Sequence, residues 1–75
     1  MTTFRALSVT LRDRPQERLP ERALRTAVLD AADRTREDGL DRAVLFETRR
    51  RRFLIDAWPQ DERPGLIVVA DITTE

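Results

Sequence analysis

Asp41-Arg42-Ala43-Val44-Leu45-Phe46-Glu47-Thr48-Arg49-Arg50-Arg51-Arg52-Phe53-Leu54-Ile55-Asp56-Ala57-Trp58 is the stretch on which the fold turns. Read as one straight strand, it puts Val44 and Phe46 on a face with Arg50, Arg52 and Asp56, and neither face is consistently apolar. Read as a hairpin whose loop holds two or four of the arginines, it pairs Phe46 with Ile55, Val44 with Ala57 and Thr48 with Phe53. One face then becomes Val44, Phe46, Phe53, Ile55 and Ala57. An odd loop would set Val44 against Asp56, because a slip of one residue exchanges the faces of a strand. Turn chemistry argues the other way, since tight turns favour Asn-Gly or Asp-Gly and neither occurs here. A four-residue loop around a type I turn asks less of the sequence. A continuous strand with a bulge also reverses the faces and stays open as the alternative.

Outward from this stretch, the rest of the chain divides readily. Phe4–Leu11 alternates, with Leu7, Val9 and Leu11 on one side and Ala6, Ser8 and Thr10 on the other, as in a strand. Arg12–Arg18 is polar, contains Pro15 and reads as a connection. Pro20 fits the first turn of a helix running to about Asp38, with Leu24, Ala27, Val28, Ala31 and Thr35 on one stripe and Ala32 at its edge. Glu21 with Arg25 and Asp30 with Arg34 are acid-first pairs one turn apart on the outer faces. Leu29 falls off the stripe, which implies exposure or an interface. Asp38-Gly39 ends the helix, glycine supplying the left-handed cap. Pro59–Gly65 is dense in turn formers, and Leu66–Thr73 is the last strand, with Leu66, Val68, Ala70 and Ile72 on the core side.

These elements predict an α+β fold over residues 1–75. It is a small two-layer domain, one helix packed on a three- or four-stranded antiparallel sheet, in the order β-α-β-β-β or β-α-β-β. A helix covers one face of such a sheet. The other is predicted to carry Leu45, Leu54, Trp58, Ile67 and Val69 among Glu47, Asp56 and Asp71, enough apolar surface to mark an interaction site. Trp58 is its expected anchor, because tryptophan is enriched at binding hot spots.

Size points toward self-association. A chain of 75 residues buries only about two-thirds of the surface its unfolded form exposes. Stabilisation by disulfides or by the common zinc sites is excluded, because there is no cysteine and no histidine. A homo-oligomer, dimer or higher, is what remains. The absence of both residues also removes the usual general base and nucleophile pairings, and the lone serine, Ser8, has no base beside it. Asp30, Asp33, Glu37 and Asp38 interleave with Arg34 and Arg36 as a solvated helix face does. Two glycines cannot build a phosphate-cradling loop. The expectation is a non-catalytic chain without a cofactor or metal.

Net charge is zero, with 14 arginines against 14 acids, unlike a general nucleic-acid binder. The balance is uneven, however: residues 42–55 hold five arginines and one glutamate, and residues 56–75 hold five acids and one arginine. The cluster Arg49, Arg50, Arg51 and Arg52, with Arg42 in the same segment, could therefore be neutralised within the fold or a dimer. It could also meet an acidic protein surface or, as a less favoured alternative, nucleic-acid phosphates. Aromatic platforms for single strands are missing. No apolar run approaches the roughly 20 residues of a membrane span, and no signal-peptide pattern opens the chain, so a soluble cytoplasmic protein is expected.

The order strand, helix, two long strands in about 70 residues resembles, in topology only, that of the dodecins, small oligomers that bind flavin. That resemblance implies a tryptophan just after the helix to stack on the flavin. Here the corresponding residues are Leu40-Asp41-Arg42-Ala43, with no aromatic, and Trp58 is too far along to substitute. Flavin binding is thus the weaker alternative. The leading expectation is a protein–protein interaction module (a regulator, inhibitor or subunit) that self-associates through the uncovered sheet face, with Arg42, Arg49–Arg52, Leu45, Leu54, Trp58 and Val69 in contact with partners.

Overall fold

The computed structural model describes residues 6–12 and 18–74. In chain order the elements are β1 (Leu7–Leu11), α1 (Glu21–Asp38), β2 (Arg42–Glu47), β3 (Arg52–Ala57) and β4 (Leu66–Thr74). They form one helix on a four-stranded sheet of order β1-β4-β2-β3, with every neighbouring pair antiparallel. The α+β expectation holds. The expected strand start at Phe4 and the connection at Pro15 lie outside the described residues.

The arginine run is a hairpin loop. Thr48, Arg49, Arg50 and Arg51 make the turn, and Arg52 opens β3. The loop length is even, as the apolar pattern demands, but the register differs by two residues from the predicted one. Phe46 faces Phe53, Val44 faces Ile55 and Arg42 faces Ala57. A shift of two preserves the faces, so the apolar side of the hairpin survives. Arg51, last in the loop, is left-handed at φ 51° and reverses the chain into β3.

Helix α1 ends as its sequence implies. Gly39 takes φ 75° and donates its N–H to the Thr35 carbonyl at 2.8 Å. Leu24, Ala27 and Val28 pack beside the fully buried Ala31 on a core of Val44, Phe46, Val69, Ala70 and Ile72. Thr35 is the buried polar side chain of this layer, and its hydroxyl is satisfied by donating to the Leu40 carbonyl at 2.9 Å. The Phe46 and Phe53 rings sit 4.8 Å apart and tilted, a favourable aromatic geometry.

Two findings correct the predicted faces. First, β4 contains a bulge: Val44 faces Ala70 but Leu45 faces Val68, so Val69 is an extra residue with no opposite number. Up to the bulge the faces are reversed, and Ile67 and Val69 point to the helix while Leu66 and Val68 point to the back. Val69 is therefore core. Second, the back of the sheet is not open. Ala43, Leu45 and Val68 form a second buried cluster there, flanked by half-buried Leu54 and Leu66, and Leu45 is 2% exposed.

The topology accounts for that cover. β3 and β4 are both antiparallel to β2, so they run the same way and the 58–65 segment must return along the sheet. The helix occupies one face. Trp58 starts the segment on the other, where its indole Nε1 donates to Asp71 Oδ1 at 3.1 Å, across buried Ala43 from β3. At the far end Thr48 N–H donates to the Gly65 carbonyl at 3.0 Å, and a tight Arg63–Leu66 turn with Gly65 at φ 84° feeds β4.

Leu45→Ala is therefore expected to lower folding stability like a core truncation, by roughly 2–4 kcal/mol in urea unfolding. A loss below about 1 kcal/mol would mean that the returning segment does not seal the back of the sheet.

Candidate interaction surface

Three surfaces carry the residues that the sequence marks out. The first is the hairpin tip, where two of the four arginines, though exposed, bond to other groups of the fold. Because Arg51 is left-handed, its guanidinium folds back to donate to the Arg18 carbonyl at 2.6 Å, with its carbon 5.4 Å from the centre of the Phe46 ring. Arg52 donates through Nε to Glu47 Oε1 at 2.8 Å, opposite it in the hairpin. Arg50 is 69% exposed, and its Nε lies 3.9 Å from the same Glu47 oxygen, a contact worth little in water. Arg49 is exposed and bonds no other described residue through its side chain. The basic tip is thus narrower than its sequence suggests.

Arg42 does not belong to that tip. It stands at the opposite end of β2, on the helix side, and donates through Nη1 to Asp38 Oδ1 at 2.8 Å and to the Leu40 carbonyl at 3.2 Å, while its Nη2 reaches Asp38 Oδ2. Sharing a segment with the arginine run does not bring it near, because a six-residue strand separates the two ends. Its guanidinium, followed by the Leu40 N–H, holds the Asp38 carboxyl at about 2, below its ordinary 3.8. The pair fastens the end of α1 to the start of β2.

The second surface is the back of the sheet. Leu45 is buried there, Leu54 is half-buried and Val69 is on the other face, so these three do not form one patch. Trp58 remains 43% exposed above Ala43. Its bonding partner Asp71 is also held by Arg12, at 2.9 and 3.2 Å. Glu47 of the hairpin itself meets the arginine tip, and Asp71 of the acid-rich 56–75 segment pairs with Arg12.

The third surface lies on the helix side at β1. Val9, Leu11 and Leu29 are 43, 61 and 57% exposed, and they line one groove together with Leu24 and Val28. The groove, about 270 Å³, exists because α1 sits over β4, β2 and β3 and leaves the outermost strand half covered. Alternation assigns Val9 and Leu11 to the right side of β1, but it says nothing of how far the helix reaches. Leu29, off the helical stripe, was the available signal. A wider groove of about 870 Å³ runs between the first half of α1 and β3, floored by Ala23, Ala27, Phe53 and Ile55 with Arg51 and Arg52 at one end.

Among the described residues no group of acids is placed to hold a metal ion: Asp30 pairs with Arg34, Asp33 with Arg36 and Asp38 with Arg42. No helix among the described residues is long and apolar enough to cross a membrane. No protein-family model matches the chain, and no curated protein or solved structure matches it.

Two predictions follow from the arginines. The depressed Asp38 carboxyl contributes stability that is present above its ordinary value of 3.8 and lost as pH falls through about 2. Stability measured from pH 5 to pH 2, a range set by the 3.8 and 2 above, is therefore expected to fall less steeply in Arg42→Ala than in the parent. Equal slopes would show that the pair does not set the acid limb. At the loop, Arg51→Ala is expected to be less stable than Arg51→Gly by about 1 kcal/mol in urea unfolding, since a left-handed position penalises a β-carbon; parity would place the Arg51 backbone outside that region.

Proposed function

We propose that this chain is a non-catalytic protein–protein interaction module that self-associates, acting as a regulator, an inhibitor or a subunit of an assembly in the cytoplasm. The observation that carries this reading is the groove beside β1. Among the described residues, three of the five large apolar side chains left exposed, Val9, Leu11 and Leu29, converge there. Scattered apolar residues on a surface are ordinary, whereas a contiguous patch marks a contact. The associating surface is thus on the helix side at the sheet edge, and the sealed back of the sheet is left with Trp58 alone.

The composition supports the same reading. Histidine and cysteine are absent, and Ser8 lies within β1 with no base in its sequence neighbourhood. The arginine tip is secondary. Arg51 and Arg52 are already bonded to the Arg18 carbonyl and to Glu47 at the surface, which leaves Arg49 and Arg50 to meet an acidic protein surface, and two cations give little support to a nucleic-acid interface.

Light scattering over a concentration series tests the proposal. Reversible association is expected, weakened at least about tenfold by Leu11→Ser or Leu29→Ser, since each buried leucine stabilises by roughly 1.5–3 kcal/mol and would count twice across a two-fold axis. A monomer at every concentration would sink the self-association claim.

A further inference from the structure

The strand that borders the groove is unusual for an exposed edge. β1 pairs with β4 alone, so its outer side has no sheet partner among the described residues. Natural edges are blunted by charges, proline or bulges, because a free row of N–H and C=O groups templates pairing. The other edge, β3, follows that rule with Arg52 as its first residue and Asp56 as its last but one. β1 carries no such guard. In a chain that is 37% charged, Leu7-Ser8-Val9-Thr10-Leu11 holds no charge and no proline.

The same five residues are self-complementary. Leu7, Val9 and Leu11 face the helix side, since they stand opposite Thr74, Ile72 and Ala70, the last two of which are core. Two antiparallel copies that keep both helices on one side of a shared sheet must match residues of the same face. Centred on Val9, such a pairing sets Val9 against Val9, Leu7 against Leu11 and Ser8 against Thr10, which leaves no residue of β1 mismatched. Cross-strand pairs of apolar groups and of hydroxyls are favourable. The groove rim carries one acid and one base, Glu21 and Arg25, so two copies meet there without net charge.

We propose that β1 is a dimerisation strand. A second copy of this chain adds antiparallel to β1 in register about Val9, giving a continuous eight-stranded sheet in which Val9, Leu11 and Leu29 of both copies close over each other. The inference rests on the self-association proposed above and specifies its edge and register. Five strand residues and the facing turns of α1 amount to roughly a dozen residues a side, about half of a standard interface, the size class of weak and reversible complexes.

A chain without cysteine allows the register to be read by single-cysteine variants. Directly opposed residues of an antiparallel pair have Cα atoms about 4.5–5.5 Å apart, within the span of a disulfide. Val9→Cys, oxidised with diamide above the association midpoint, is expected to give a cross-linked dimer on a non-reducing gel. Ser8→Cys mixed with Thr10→Cys is expected to cross-link, and Ser8→Cys alone is not. Leu54→Cys, which reports the β3 edge, is expected to remain uncross-linked. If light scattering finds dimers but the cross-link forms at Leu54→Cys, or at none of these positions, the β1 pairing is overturned while self-association stands. If no variant and no wild-type sample associates, both fail together.

Discussion

β2 is antiparallel to both of its neighbours, and the rest of the structure follows from that constraint. It obliges β3 and β4 to run in the same direction with β2 between them. A tight turn cannot join such strands; the chain must travel the length of the sheet. With α1 on one face, residues 58–65 return over the other, and a face that a two-layer fold would leave wet becomes a thin second core around Leu45 and Val68. The bulge at Val69 belongs to the same arrangement. It gives β4 one apolar face toward the helix and another toward the returning segment, so a single strand serves both cores.

Much of this was legible in the residues. The even hairpin loop followed from requiring Val44, Phe46, Phe53 and Ile55 to share a face. The helix and its end followed from a stripe of apolar residues closed by Asp38-Gly39. Both are local patterns, decided by neighbours a few positions apart. The hairpin register was missed by two residues because such a slip leaves the faces unchanged, so the apolar pattern cannot detect it. The bulge was illegible for a related reason: Leu66-Ile67-Val68-Val69-Ala70 is apolar at every position and carries no alternation to interrupt. Sheet order, and with it the cover over Leu45, depends on pairings between segments distant in the chain, which periodicity does not encode.

The interaction residues show the same division. Trp58 is half-exposed on the back of the sheet, and strand parity alone groups Leu45, Leu54 and Val69 with it. Of these three, parity fails for Val69 alone, where the bulge reverses β4; Leu45 and Leu54 keep the back face, Leu45 buried and Leu54 half-buried. Arg42 was grouped with the arginine run by proximity in sequence, although a strand places the two at opposite ends of the sheet. Within the run, Arg49 and Arg51 are both exposed, but Arg51 is left-handed and donates to the Arg18 carbonyl.

The position of β4 also bears on how the chain acquires its fold. Among the described residues it is the last strand in sequence, yet it lies inside the sheet, and β1 has no other partner there. During synthesis β1 and the β2–β3 hairpin emerge as separate pieces, and the sheet cannot close until residues 66–74 insert between them. Until then the uncharged strand Leu7–Leu11 has two open sides rather than one. Folding dominated by such distant pairings is slow compared with helical domains of similar size, and the late closure lengthens the time in which nascent chains on neighbouring ribosomes can meet through the same strand.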